Sequence, residues 1–206
     1  MGRERALSVS FGTWWSWLGE HFSLRLLLWA QRTIPRVTGA FDSLNQHVAG
    51  HPKHLLEGYT CPGVSKIGND ELLTLPVDVL IPAAMEHQIR ADNAPYTSVQ
   101  LTVEAANGPT TREADQFLNE RGTIIVPDIL ANAGGVVVSY LEWVQNLQSF
   151  YWEEDEINSK LKSIMIRSFK EVWDFGSEHG VPLRLAATML AVKRVADAVT
   201  TRGVFP

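Results

Sequence analysis

Glu104-Ala105-Ala106-Asn107-Gly108-Pro109-Thr110-Thr111 follows directly on the apolar run Val99–Glu104, and that junction decides the fold. A run of strand length that breaks into small residues, an amide and a proline reads as a strand ending in a loop open to a ligand. The arrangement recurs on either side. Val77–Ile81 runs into Pro82-Ala83-Ala84, and Thr123–Val126 runs into Pro127-Asp128. Continuous apolar strands alternating with helical patterns indicate a parallel sheet covered on both faces. Right-handed crossovers then bring the strand ends to one edge. The expected class is α/β, a partial doubly wound parallel sheet with a C-terminal α-helical segment.

Helix signals surround these strands. Thr110 with Glu113 three residues on has the form of a capping box, and Gly122 stands where a glycine ends a helix. Asn69 is placed to cap Asp70–Leu75. From Glu154 to Trp173 the apolar positions Ile157, Leu161, Ile164, Met165, Phe169 and Val172 keep helical spacing. The acidic start Glu153–Glu156 suits the helix dipole and reads as a solvated first turn rather than a metal site. A last helix runs from about Pro182, suited to a first-turn position, to Gly203. The two long helices have no strand between them, so they close the fold instead of extending the sheet.

Residues 1–43 are of another kind. Trp14, Trp15, Trp17 and Trp29, four of the seven tryptophans, crowd a stretch that is apolar but keeps neither helical nor strand period. The expected organisation is an irregular, degenerate remnant of a first βαβ unit over 1–43 and one α/β domain over 44–206.

Composition sets limits on function. The 206 residues are 45% hydrophobic and carry a net charge of -5, which leaves no basic stripe to neutralise phosphates, so nucleic acid is not an expected partner. No apolar run approaches the roughly 20 residues that span a bilayer, so no membrane is expected. The lone Cys61 cannot form an internal disulfide and reads as structural, consistent with a reducing, cytoplasmic compartment. His47, His51 and His54 suggest a metal cluster, but Gly50 and Pro52 break any helix that would align them, and no metal site is expected.

The residues able to carry chemistry sit in the loops. Asn107 could donate and accept hydrogen bonds to a ribose or carboxamide at the sheet edge; it could equally be a turn former ahead of Gly108. Asn132-Ala133-Gly134-Gly135 precedes the apolar helix Val136–Leu147, and its two glycines let backbone approach a ligand or simply loosen the helix entry. Ser139, one turn into that helix, could bond a substrate carboxylate or bond back to a helix carbonyl. No His or Lys lies near it in sequence, which argues against a nucleophilic serine.

Four blocks in order resemble the Glu/Leu/Phe/Val dehydrogenase family: Leu75–Ala84, Glu104–Thr111, Ile129–Val136 and Ser139–Asn146. The likeness runs from about Leu44 to Pro206 and is closest to the glutamate-type members. It implies a Rossmann-like cofactor-binding domain followed by the family's terminal helices. It also implies that Ala83, Asn107 and Asn132 line a site for NAD or NADP. Ser139 would touch the side-chain carboxylate of an L-amino acid substrate, with Val136 near its aliphatic part. The implied reaction is oxidative deamination to a 2-oxo acid and ammonia.

Two departures accompany the resemblance. The family's substrate domain, with a glycine-rich lysine segment and an acidic catalytic residue, has no counterpart here, so no catalytic residue is assigned within the chain. The glycine-rich turn that grips the pyrophosphate should fall at Ser10-Phe11-Gly12-Thr13-Trp14-Trp15, where Gly12 alone survives as a cofactor contact. Trp15 stands where close packing wants no side chain, and overpacking typically costs about 1–3 kcal/mol. The acidic residue expected further on is replaced by the neighbourhood of Gln31 and Arg32. Three readings stay open: a truncated dehydrogenase inactive alone, a cofactor-binding subunit completed by a separate substrate-domain chain, and a remnant without function; whether the chain forms a homo-oligomer is open as well.

Overall fold

The computed structural model describes residues 26–28, 41–52, 58–60 and 67–203. Gly12, the tryptophans of the first 30 positions, Gln31, Arg32, His54 and Cys61 lie outside the described residues. The chain divides into two compact units between Thr123 and Ile124.

The first unit holds β1 (Leu26–Leu28), α1 (Phe41–Gly50), α2 (Asn69–Leu73), β2 (Val79–Ile81), β3 (Leu101–Val103) and α3 (Arg112–Glu120). Its strands form a parallel sheet in which Leu26, Leu27 and Leu28 face Val79, Leu80 and Ile81, and Val79 and Leu80 face Leu101 and Thr102. The fold is α/β, as the apolar runs imply. All three residues of β2 are buried, as a strand inside a parallel sheet requires. A strand at Leu26–Leu28 lies in the stretch that sequence periodicity leaves unassigned. Between β2 and β3 the chain forms only a short 3-10 turn, Ala94–Tyr96, where alternation with helices would place an α-helix.

Capping differs in detail from expectation. The N-cap of α3 is Thr111, whose hydroxyl accepts from the Ala114 N–H at 3.4 Å. Thr110 is instead drawn into a bridge with Ile89, and its hydroxyl is buried without a hydrogen-bond partner. Two threonines in succession make the cap ambiguous from sequence, and the bridge decides between them. Likewise Gly68 precedes α2, while the Asn69 side chain donates to Gln88 Oε1 at 3.0 Å instead of capping. Gly122 does end α3, at φ 86. Thr123 N–H donates to Leu118 C=O and Gly122 N–H to Asn119 C=O, both at 2.9 Å, the paired bonds of a Schellman motif. Arg121 then reaches back to the Thr97 carbonyl, and Thr123 Oγ1 donates to Val99 C=O at 3.2 Å. The end of α3 is thus tied to the approach to β3.

The second unit contains β4 (Ile124–Val126), α4 (Asp128–Ala131), α5 (Gly134–Gln148), α6 (Glu154–His179) and α7 (Leu183–Arg202). The two glycines expected to precede α5 are its first two residues, with Ala133 at the N-cap. Gln145, buried, accepts from Trp152 N–H at 2.7 Å and turns the chain from α5 towards α6. Glu153 and Glu156 form a reciprocal capping box at the start of α6, so this acidic run serves the helix terminus. Leu161, Met165, Val172 and Gly176 are its buried line. Pro182 proves to be the N-cap of α7 rather than its first helical residue, since its ψ of 150 is extended. The helix packs on α6, β4 and α4. Its start is fixed by an ion pair from Arg184 to Asp128 at 3.2 Å, both partly buried.

Candidate functional site

The parallel register puts the carboxyl ends of β2 and β3 side by side. From β2 the chain passes through buried Ile81 and Pro82 to exposed Ala83. From β3 it passes through Glu104, fully buried, to Ala106 and then to exposed Asn107. The Ala106 N–H donates to the Pro82 carbonyl at 2.8 Å, so the two loops leave the sheet joined. Ala83 and Asn107, both named from sequence, each follow one partner of that bond. Ala83 offers only a methyl group, which lets a flat ring come close. Asn107 offers an amide able to donate and accept.

A second strand-like segment holds the Asn107 loop from the other side. His87 N–H donates to Gly108 C=O at 2.9 Å, Gln88 and Ile89 N–H both donate to Pro109 C=O at 2.7 and 2.9 Å, and Thr111 N–H donates to Ile89 C=O at 2.9 Å. His87 and Gly108 both take left-handed backbone, at φ 52 and 53. Glycine does so freely, whereas histidine pays a steric cost. Behind this segment Asn93, 5% exposed, accepts from Arg90 N–H and donates to Gln88 C=O, each at 2.8 Å. Sequence reasoning passed over His87–Ile89 and Asn93. The pair Asp92-Asn93 ahead of Pro95 is a turn signal that could have marked the latter. Nothing in Glu86-His87-Gln88 announces the former.

In the second unit Asn132 is the C-cap of α4 and is half-buried, with its carbonyl accepting from Gly135 N–H at 3.3 Å. Val136 is 73% exposed, and Ser139, one turn on, is exposed too. The Ser139 hydroxyl donates to Gly135 C=O at 3.1 Å, the back-bonded alternative weighed for it. Its oxygen lone pairs remain acceptors. Asn132, Val136 and Ser139 therefore succeed one another over two turns of one element and its entry.

Of the three clustered histidines, His47 and His51 are among the described residues, and both meet aromatic rings. His47 stacks on His51 with ring centroids 6.0 Å apart and meets Tyr59 edge-on at 5.3 Å. Among the described residues no group of three His, Cys, Asp or Glu could hold a metal ion. None of the described helices is long and apolar enough to cross a membrane.

Residues 40–203 match the family described as Glutamate/Leucine/Phenylalanine/Valine dehydrogenase. The chain belongs to this family. The matched span is nearly the Leu44–Pro206 over which the sequence resembles the family, and it reaches well beyond the four blocks on either side. The glutamate dehydrogenase of Thermotoga maritima is 50% identical over 147 residues, covering 71% of this chain and 35% of the relative. The catabolic NAD-specific glutamate dehydrogenase of Bacillus subtilis is 51% identical over 137 residues, 66% of this chain and 32% of its own length. Among solved structures, the hetero-hexameric glutamate dehydrogenase of Thermus thermophilus in its Leu-bound form aligns with a TM-score of 0.72 at 31% identity, covering 84% of this chain and 39% of that one. The glutamate dehydrogenase of Peptoniphilus asaccharolyticus aligns with a TM-score of 0.59 at 45% identity, covering 61% of this chain and 32% of that one. This dehydrogenase-family chain spans about a third of the length of the curated relatives it matches.

Proposed function

We propose that this chain is the cofactor-binding part of an NAD- or NADP-dependent L-amino acid dehydrogenase of the glutamate type. The observation that carries the reading is the joining of the β2 and β3 carboxyl ends through Ala106 and Pro82. A bound nicotinamide supplies the hydride acceptor for oxidation at an amino-acid carbon. The chain's own residues bind and orient. Ala83 leaves room for the ring, and the Asn107 amide bonds the carboxamide or ribose. In the second unit, taken by itself, the Asn132 amide is the proposed cofactor contact. Ser139 and Val136 meet the substrate, an L-amino acid or its 2-oxo acid, at its side chain. The expected location is the cytoplasm.

These residues include no group to take the proton from the substrate amine or from the water that hydrolyses the imine, and general acid–base catalysis needs one within hydrogen-bond reach. The isolated chain is therefore expected to bind NADH but not to turn over glutamate, leucine or phenylalanine with NAD or NADP. A fluorescence titration with NADH, run beside an activity assay, tests both halves. Absence of saturable NADH binding removes the cofactor reading, and clear turnover removes the claim that a further domain is needed.

A specific observation favours the reading in which a separate chain completes the enzyme. Tyr140, Trp143 and Leu147 step along α5 at intervals of three and four residues, and each is more than half exposed. Tyrosine and tryptophan on an exposed apolar stripe are the composition of an interface. Co-expression with a chain carrying the family's glycine-rich lysine segment is expected to restore activity, and Trp143→Asp is expected to abolish the pairing. Retained pairing in that variant would show that the stripe is not the contact.

A further inference from the structure

Asn93 is buried and has both ends of its side chain engaged. Its Oδ1 accepts the Arg90 N–H and its Nδ2 donates to the Gln88 carbonyl, each at 2.8 Å. The backbone of the same stretch closes on itself, since Asn93 N–H and Ala94 N–H both donate to Arg90 C=O, at 3.2 and 2.8 Å. This small knot sets the direction in which Gln88 and Ile89 present their own N–H groups. Those groups point at one acceptor, the Pro109 carbonyl. Pro109 cannot donate, so its segment depends on donors brought to it. One residue before it, Gly108 accepts from His87 N–H. The chain of contacts runs from the Asn93 amide through residues 87–90 to Gly108 and Pro109, and so to the backbone that carries Asn107.

The backbone cost at His87 gives the knot a purpose. A non-glycine residue at φ 52 carries a steric cost, and persists only where its surroundings over-determine it. The bonds at Gln88, Ile89 and Asn93 are what over-determine it. Without the Asn93 side chain, Arg90 N–H loses its side-chain acceptor and Gln88 C=O keeps only the longer bond from the Arg90 guanidinium at 3.5 Å, and the segment is released to relax towards ordinary φ.

We propose that Asn93 is a positioning residue for cofactor binding: its buried amide holds the His87–Ile89 segment that clamps Gly108 and Pro109, and thereby sets how Asn107 meets the nicotinamide end of the cofactor. The proposal rests on the reading of Asn107 as a cofactor contact. It touches neither ligand nor reacting atoms, so its effect must be selective for one end of the dinucleotide. A structural residue would weaken every ligand alike.

The test uses the full chain and its Asn93→Ala variant, with Asn93→Ser in reserve should the alanine variant not fold. NADH and AMP are titrated in parallel, and amide hydrogen exchange is followed at Gln88, Ile89 and Thr111. Loss of two side-chain hydrogen bonds is expected to weaken NADH binding about tenfold while leaving AMP binding unchanged. Exchange at the three amides should rise by about tenfold or more. Equal weakening of NADH and AMP, or unchanged exchange, overturns the positioning role. Failure of the unsubstituted chain to bind NADH, with exchange still rising in the variant, overturns the cofactor reading and the role with it, while leaving the clamp as a structural fact.

Discussion

The Ala106 N–H and the Pro82 carbonyl meet at 2.8 Å, one residue before Asn107 and Ala83 respectively. Proline at 82 supplies an acceptor and no donor, so the bond between the loops can form only in this sense. Its consequence is that the exits from β2 and β3 cannot separate without breaking a backbone hydrogen bond. A small residue and an amide are thereby presented together at the sheet edge.

Replacing Asn107 by alanine removes the amide without touching that bond. NADH binding is expected to weaken about threefold to tenfold, the worth of one amide hydrogen bond. The check is a fluorescence titration of the variant against the unsubstituted chain. Unaltered affinity would return Asn107 to the role of a turn former.

Gly122→Ala tests the end of α3. Nothing lies within 4 Å of an added Cβ, so crowding is not the issue; the φ of 86 is. The expected loss of stability is about 1–2 kcal/mol, read from urea unfolding. A neutral outcome would show that the Schellman turn tolerates an L side chain.

At Gly176 the limitation is space. An added Cβ would meet the Val181 carbonyl at 3.1 Å and the Ala186 Cβ at 3.4 Å, where α6 turns back towards α7. Backbone on one side leaves little to give. Gly176→Val is expected to destabilise by about 1–3 kcal/mol by overpacking, with the thermal midpoint as readout. An unchanged midpoint would mean that the two helices are less closely fitted at this end.

The hydrogen bond from Arg90 holds the Asp92 carboxyl below its ordinary range. A carboxylate with a lowered folded pKa contributes stability above its unfolded pKa and loses it as pH falls through the folded one. The stability difference between the chain and its Asp92→Asn variant should therefore be present at neutral pH and vanish in acid. Because Asp92 is largely exposed and Arg90 only half-buried, raised salt should shrink it as well. A difference that persists in acid would point to packing instead of charge.

Some of this was legible in the amino-acid order alone. Three apolar runs ending in proline or small residues, read with period and length, identify β2, β3 and β4, because a strand inside a parallel sheet has no polar face to disguise it. The long spacing from Ile157 to Val172 identifies α6, and Gly122 identifies the end of α3, because left-handed backbone selects glycine so strongly. The four blocks also identify the family, since several motifs in order constrain far more than any one.

Tertiary structure alone decided the rest. Whether Thr110 or Thr111 caps α3 depends on a bridge to Ile89, more than twenty residues away along the chain. Whether Asn69 caps a helix or bonds Gln88, and whether Ser139 bonds back to Gly135, are choices between partners of similar energy. The left-handed turn at His87 and the buried engagement of Asn93 have no periodicity to betray them. Local propensity and burial pattern act along the chain and can be read there. A polar side chain's partner is chosen across space, by whichever donor or acceptor folding leaves within reach.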